Sequence, residues 1–233
     1  PGKVMDGVGA VVVSVICTLA VKSDGSVWTW GLNYFGQLGS GSTDSSSLPV
    51  PVSFSAGTDS PAVQNPFIDV SQDAYYYEPV LWAVERGVAN GVTATTFAPD
   101  NVCTRGEIIT FLWRAMGKPE PLWSDLSDVS ESDFYYLPVQ WAYGRKIASG
   151  GTFSPKDPCT RAQAVEFLWK AAGSPAASRD AGFSDVPAAY TQAVNWAAEN
   201  GIAAGTGPAV FSPNSTCTRG QIVTLLWRAL ARR

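Results

Sequence analysis

The chain has 233 residues with 16 basic and 20 acidic side chains, a net charge of −4, and 45% apolar residues. This composition excludes a disordered polar chain, and it is too acidic for a nucleic-acid partner, whose phosphates require a basic face. The sequence contains no histidine, which excludes Ser-His-Asp and Cys-His catalysis and any histidine-ligated metal site. The sequence contains no run of about 18 apolar residues, so no membrane span is predicted. It begins at Pro1 without a charged n-region, so no signal peptide is predicted.

The first 55 residues are predicted to form β structure. Two alternating apolar runs, Thr18–Lys22 and Ser26–Gly31, flank a Ser-Asp-Gly turn, which is typical of a β-hairpin. With the N-Y-F-G-Q-L-G and L-P-V-P-V motifs that follow, the segment from Leu19 to Val52 resembles one repeat of the RCC1-type β-propeller. A single blade leaves both faces of its sheet without neighbours, so we expect a longer propeller or packing on the helical part of the chain.

Three copies of one motif follow, offset by 55 to 59 residues. Each copy has five landmarks in the same order: an x-Asp-Val turn, a Trp-Ala pair, a Phe-x-Pro element, a Cys-Thr-Arg triplet and a Leu-Trp-(Arg/Lys)-Ala run. The predicted domains are a β segment at 1–55, a linker at 56–65, and repeats at 66–119, 120–175 and 176–233.

Each repeat is predicted to be helix, loop, helix. The first helices are expected at Tyr76–Arg86, Tyr136–Arg145 and Tyr190–Glu199, with glycine stops at Gly87, Gly144 and Gly201. The second helix begins at a capping box, in which a Thr side chain and a Glu or Gln side chain satisfy each other's backbone donors. The pairs are Thr104 with Glu107, Thr160 with Gln163, and Thr218 with Gln221.

One helical hairpin cannot bury its apolar stripe alone, whereas three copies can pack around a shared axis. The repeated landmarks resemble the surface-layer-homology (SLH) domain over residues 67 to 233, in the usual three tandem copies. The predicted fold is therefore mainly α, a pseudo-threefold, three-lobed helical SLH trimer with a small N-terminal β segment. The resemblance implies non-covalent binding to secondary cell-wall polymers, often pyruvylated, on a Gram-positive-type surface.

The chain departs from the SLH pattern in two places. The acid that closes the Thr-Arg-x-Glu signature is present as Glu107 but is replaced by Gln163 and Gln221, which keep the capping role and lose the negative charge. The second repeat opens with Leu126 where Phe is expected, and its loop at Ser149–Thr152 is shorter than its counterparts.

Arginines at the first position of the second helices are the leading candidates for ligand binding. A cation there opposes the helix dipole, and an anion held between the guanidinium and free backbone N–H groups would relieve that conflict. The resemblance implies the same role, toward an acidic sugar. The alternative is that each arginine pairs with an aspartate for structure only. These arginines are Arg105, Arg161 and Arg219.

Two further sets complete the predicted carbohydrate site. The aspartates of the x-Asp-Val turns either receive sugar hydroxyls or cap the first helix and accept from the arginines. These are Asp69, Asp128 and Asp185. The tryptophans of the first helices either stack on sugar rings or pack in the core, and packing is favoured. These are Trp82, Trp141 and Trp196.

Cys103, Cys159 and Cys217 occupy equivalent places in the three repeats. A lobed arrangement is expected to hold them apart, and neither a C-x-x-C spacing nor a histidine supports zinc. We therefore expect buried free thiols, and Cys17 also free, with no metal and no cofactor.

The function that fits these predictions is non-covalent anchoring of a secreted surface protein to cell-wall polysaccharide, by a monomeric, non-enzymatic module. Threefold binding would gain avidity, whereas catalysis on three copies has no clear use. The alternatives are a protein-interaction scaffold that uses the RCC1-like blade, and a glycan hydrolase based on a carboxylate pair.

Overall fold

A computed structural model describes residues 5–13, 17–33, 38–40, 44–52, 65–122 and 126–231. The chain divides into two compact units, Pro1–Ala62 and Val63–Arg233. The predicted linker at 56–65 lies almost wholly outside the described residues, so the predicted domain boundaries stay predictions.

The first unit contains one antiparallel sheet of four strands in the order β1-β2-β3-β4. The strands are β1 Val8–Val13, β2 Cys17–Lys22, β3 Val27–Gly31 and β4 Ser46–Pro51. The predicted hairpin is confirmed as β2 and β3, and Gly25 in its turn has a φ of 83°, which glycine adopts at no steric cost. Strand β1 was not predicted.

The second unit contains two α-helices in each repeat. They are α1 Tyr77–Glu85 and α2 Arg105–Ala115, then α3 Tyr136–Gly144 and α4 Arg161–Ala171, then α5 Thr191–Glu199 and α6 Arg219–Leu230. A short 3-10 turn at Ala188–Tyr190 precedes α5. None of the helices in the described ranges combines the length and apolar character that crossing a membrane requires.

The prediction of a mainly α fold is wrong, and the chain is mixed α and β. Its N-terminal unit is a four-stranded sheet rather than one hairpin with a tail. In the second unit each helix lasts only two to three turns, because most of every repeat forms the loops and linkers that position the helices. Isolated β-bridges also join the repeats, for example Thr104 to Pro158 and Thr160 to Thr216.

The three predicted capping boxes are all formed. The glycine stops are confirmed at Gly87 and Gly201, which have φ values of 63° and 65°. Gly144 is not a stop after the helix but the last residue of α3, and a Cβ there would be 2.4 Å from Leu122. Lys146 adopts the left-handed conformation in the second repeat instead, with a φ of 58°.

The repeats close into a ring around the three equivalent cysteines. The backbone N–H of Cys159 donates to the carbonyl of Cys103, that of Cys217 to Cys159, and that of Cys103 to Cys217, each at 2.9 Å. Around this ring α1 packs against α6, α3 against α2 and α5 against α4. The first repeat therefore contacts the last, and each repeat buries its apolar stripe against both neighbours.

Candidate functional site

The three aspartates of the x-Asp-Val turns hold the Phe-x-Pro elements of their own repeats. Asp185 accepts from the backbone N–H groups of Phe211 and Ser212, both at 2.8 Å, and Asp69 and Asp128 make the equivalent bonds. Ser212 has a φ of 60°, so the carboxylate stabilises a strained turn. The bond from Phe211 is the main reason that the pKa of Asp185 lies below its usual value.

The aspartates thus follow neither of the structural roles expected for them. Their bonds go to the Phe-x-Pro backbone rather than to the start of the first helix. Among the described residues, no ion pair joins an aspartate of this set to one of the three arginines.

The backbone donors at the start of each second helix are occupied by protein groups. In α4 the N–H of Arg161 donates to the carbonyl of Ser215 at 2.9 Å, and the N–H of Ala162 to that of Pro213 at 3.0 Å. The next N–H, at Gln163, donates to the Thr160 side chain. Helices α2 and α6 repeat this pattern, so the predicted anion site on free N–H groups is not available.

The side chain of each arginine reaches into the following repeat. Its Nε donates to the carbonyl oxygen of the Phe-x-Pro phenylalanine at 2.9 to 3.1 Å, and its guanidinium carbon lies 4.7 to 4.9 Å from the centroid of the same ring. The pairs are Arg105 with Phe153, Arg161 with Phe211, and Arg219 with Phe97. Cation–π contact and a shared hydrogen bond therefore fix the orientation of all three guanidinium groups.

Arg219 is fully engaged inside the protein. Its Nη1 forms an ion pair with Oε1 of Glu107 at 2.9 Å, and its Nη2 donates to the carbonyl of Asn90 at 2.9 Å. The residue is only 6% exposed. Arg219 is therefore a structural link between the third and first repeats, and its partner is Glu107 rather than the aspartate expected in the structural alternative.

Arg161 has the same framework without the carboxylate. Its Nη2 donates to the carbonyl of Ala204 at 2.8 Å, the counterpart of the Asn90 bond. Across the ranges that the structure describes, no Asp or Glu oxygen lies within ion-pair distance of Arg161 or Arg105. Both side chains are half-buried rather than enclosed.

The replacement of Glu by Gln explains this difference. Glu107 uses Oε2 for its capping bond to the N–H of Thr104, which leaves Oε1 for Arg219. Gln221 uses its single side-chain oxygen for the same capping bond, to Thr218 at 3.1 Å. Its remaining polar atom is an amide nitrogen, which donates and cannot accept from a guanidinium.

A cavity of about 260 Å³ opens beside Arg161. The loop Ala203–Thr206, the amide of Gln221, Arg228 and the exposed ring of Tyr75 complete its wall. Tyr75, Arg228 and this loop were not predicted as site residues, because Tyr75 lies in the first repeat, the others lie in the third, and no shared spacing connects them. The sequence signal that could have identified Tyr75 is its aromatic type two positions before α1, which recurs as Phe134 two positions before α3.

The tryptophans of the first helices separate by exposure. Trp141 and Trp196 are 3% and 5% exposed, which favours the packing role for both. Trp82 is half-buried and lines a different cavity, of about 550 Å³, with Arg86 and Trp227.

The expectation that the cysteines lie apart is wrong, because their backbones bond to one another around the ring. All three are buried, as expected, and within the described residues neither they nor the partly exposed Cys17 form a disulfide. Burial raises the pKa of Cys217 to about 11 and raises the pKa of Cys103 and Cys159 further, so all three are uncharged thiols. No group of ligands suited to a metal ion occurs in the described residues.

Comparisons with known proteins agree with this architecture. The S-layer homology domain matches at residues 66–109, 125–165 and 182–223, and the regulator of chromosome condensation (RCC1) repeat matches at 24–71. An endoglucanase of Bacillus sp. (strain KSM-635) is 29% identical over 78% of this chain and 21% of its own length. A cell surface protein of Thermoanaerobacter kivui is 30% identical over 72% of this chain and 22% of its own length.

A surface-layer 125 kDa protein of Lysinibacillus sphaericus is 36% identical over 41% of this chain and 9% of its own length. The chain therefore spans about a fifth or less of these relatives. S-layer homology domains are cell-wall anchoring modules that bind cell-wall polysaccharide. With three such domains closed into one ring, the chain belongs to the S-layer homology family.

Proposed function

We propose that this chain anchors a secreted protein to the cell wall by holding an acidic sugar of a wall polysaccharide, for example a pyruvylated one, against Arg161. One observation carries the proposal. Arg161 repeats the bonding framework of Arg219, but beside Arg161 the uncharged Gln221 takes the place that the Glu107 carboxylate takes beside Arg219.

A ligand carboxylate suits that position. It supplies the missing counter-charge, it can accept from both Nη atoms of the guanidinium, and it can accept from the side-chain amide of Gln221. Tyr75 offers an exposed aromatic face at the rim of the same cavity, against which a sugar ring can stack.

The three inter-repeat arginines then have unequal roles. Arg161 is the principal ligand contact. Arg105, whose side chain reaches into the second repeat with its shorter loop, is a second contact beside Gln163. Arg219 holds the ring closed and does not bind the polymer. The aspartates act on the ligand only indirectly, by shaping the Phe-x-Pro turns on which the arginines rest. The low exposure of Trp141 and Trp196 supports a packing role for both and no contact with the polymer.

The sharpest test is the substitution Gln221→Glu. It supplies Arg161 with an internal carboxylate, as Glu107 does for Arg219, while the capping bond is kept. We expect the variant to lose retention on wall sacculi although Arg161 is unchanged, and to melt at a temperature no lower than the parent chain. Retention is measured by co-sedimentation with sacculi before and after removal of secondary polymer.

Two variants accompany this test. Arg161→Ala should lose retention to the same extent, and Gln163→Glu, which acts at Arg105, should lose less. Full retention by folded Gln221→Glu and Arg161→Ala proteins would show that the polymer binds elsewhere. Equal retention by stripped and intact sacculi would contradict polysaccharide binding altogether.

A further inference from the structure

The cavity of about 550 Å³ that Trp82 lines is distinct from the one beside Arg161. It lies at the C-terminal end of α1, where Arg86 also contributes to its wall. Arg114 lines it from the end of α2, and Trp227 lines it from α6. Among the described residues, the two cavities have no lining residue in common.

On the other two first helices, the segment that joins one repeat to the next covers the equivalent place. Leu122, before α3, lies so close to Gly144 at the end of that helix that a Cβ on the glycine would be 2.4 Å from it. Ser178, before α5, donates its backbone N–H and its hydroxyl to Glu199 at the end of that helix. Each joining segment therefore crosses the last turn of the first helix that follows it.

Both joining segments, at 117–122 and 173–178, carry a proline whose carbonyl oxygen bonds to a tryptophan. The indole Nε1 of Trp113 donates to Pro119 at 2.8 Å, and the Nε1 of Trp169 donates to Pro175 at the same distance. The group that covers these faces is thus a non-helical, proline-containing length of polypeptide.

The first-helix tryptophans report how well each face is covered. Trp141 on α3 and Trp196 on α5 are 3% and 5% exposed. Trp82, at the equivalent position of α1, is half-buried and lines the cavity. Of the three equivalent faces, the described residues therefore leave the one on α1 the most open.

Two arginines give this cavity a positive charge. Arg86 is exposed, Arg114 is half-buried, and no Asp or Glu is among the described lining residues. Lys170 of α4, which corresponds to Arg114, pairs with Glu166 at 2.9 Å, but α2 has Thr110 at the place of Glu166. Burial lowers the pKa of Arg114, because desolvation disfavours its charged form. A carboxylate that enters the cavity would supply the counter-charge.

We propose that this cavity docks a proline-containing, acidic segment of a partner protein, along the path that the joining segments take over α3 and α5. Tryptophan faces suit proline rings, and the guanidinium groups of Arg86 and Arg114 suit a carboxylate. Glu85 is exposed at the position of Glu199, so it can accept from a backbone N–H of the bound segment. This docking surface is independent of the polysaccharide site.

A peptide based on residues 117–122 tests the proposal, because the chain itself places this sequence on the equivalent face. The probe carries Lys118→Ser, as in the second joining segment, and is blocked at both ends, so its net charge is −1. Anisotropy of a fluorescent label on the peptide, titrated with the full chain, should show saturable binding. Glu120→Gln in the peptide should weaken it about fivefold or more.

Arg86→Ala in the full chain should weaken binding by a similar factor. The two changes together should weaken it little more than either alone, because both remove the same ion pair. Ala231→Phe, which fills the cavity from an exposed position, should also weaken binding. The matched control is Arg145→Ala, which removes the equivalent arginine beside the covered face of α3 and should bind like the parent chain.

Absence of binding to the parent chain would overturn the inference, and so would an equal loss in Arg145→Ala and Arg86→Ala. Retention on wall sacculi should be unchanged in Arg86→Ala, since Arg86 lies outside the cavity at Arg161. Loss of that retention would assign the cavity to the polymer instead. Self-association of the parent chain that Arg86→Ala abolishes would assign it to a second copy, and either result would also overturn the inference.

Discussion

Arg219 and Arg161 show how one atom in a partner side chain changes the role of an arginine. The two guanidinium groups bond to equivalent carbonyls and lie on equivalent phenylalanine rings. Glu107 has a second carboxylate oxygen for Arg219 after its capping bond is made, whereas Gln221 has only an amide nitrogen left beside Arg161. A buried cation needs a counter-charge, and a half-exposed cation can obtain one from a ligand.

The ion pair between Glu107 and Arg219 should therefore matter for stability. Glu107→Gln keeps the capping box but leaves Arg219 buried without a carboxylate, so we expect a loss of about 1–3 kcal/mol in the free energy of unfolding. Urea unfolding measures this. The control is Glu166→Gln, which breaks the more exposed pair with Lys170 and should cost about 0.5 kcal/mol or less. Equal losses in the two variants would contradict a special role for Arg219.

The carboxylate of Asp185 makes a pH-dependent contribution to the stability of the folded chain. The pKa of Asp185 is lower in the folded chain than its ordinary value of 3.8, chiefly because its carboxylate accepts from the N–H of Phe211. A lowered folded pKa means that the stabilisation is present above the ordinary value and is lost as the pH falls through the folded value. Asp185→Asn should therefore be less stable than the parent chain at neutral pH.

The difference between Asp185→Asn and the parent should shrink as the solution is acidified from about pH 7 to about pH 2. Melting temperatures across this range measure it. A difference that stays constant would mean that the carboxylate charge does not contribute.

At the scale of the element, the capping boxes set where each second helix begins. The hydroxyl of Thr160 accepts from the backbone N–H of Gln163, and the Gln163 side chain accepts from the N–H of Thr160. The two preceding helix donors bond to the next repeat. The box therefore fixes the start of the helix, and the two donors beside it join that start to the next repeat.

Loss of one box should be measurable. Thr160→Ala removes the acceptor for the Gln163 N–H, and we expect the chain to lose about 1 kcal/mol of stability. Thr160→Ser keeps the hydroxyl oxygen, so its free energy of unfolding should stay within about a few tenths of a kcal/mol of the parent value. Thermal or urea unfolding gives both values, and similar stability of the Ala and Ser variants would show that the bond is dispensable.

On the scale of the whole molecule, closure of the ring is what buries the apolar stripes. Helix α1 has its partner in α6, more than a hundred residues later in the chain, and the cysteine ring needs all three repeats. Removal of residues 176–233 takes away α6 and α5, which pack against α1 and α4, and it takes Cys217 out of the cysteine ring. We therefore expect Cys103 and Cys159 to become exposed. The assay is thiol labelling near neutral pH without denaturant.

In the full chain we expect a thiol reagent to label Cys17 readily and the three ring cysteines only on unfolding. The shortened chain should label at every thiol and melt without a sharp transition. Continued protection of Cys103 and Cys159 in the shortened chain would show that two repeats are stable on their own.

The three repeats, the starts of the second helices and the β-hairpin could all be predicted from the sequence. These features depend on residues within a few positions of one another, such as Thr160 with Gln163 or the turn at Gly25. The sequence also identified the three arginines as a set, because they share one place in the motif. The mainly α prediction failed because the valine-rich run of β1 was not predicted as a strand, and because the inter-repeat bridges pair residues that lie far apart in the chain.

Which arginine pairs with a carboxylate inside the protein depends on contacts between repeats. The three side chains look alike in sequence, but the group that approaches each guanidinium belongs to another repeat: Glu107 lies 112 positions from Arg219. The cavity beside Arg161 likewise combines Tyr75, Ala204 and Gln221, which no spacing rule connects. Local patterns predict local bonds, whereas the charge and openness of a groove depend on which distant side chains the closed ring brings together.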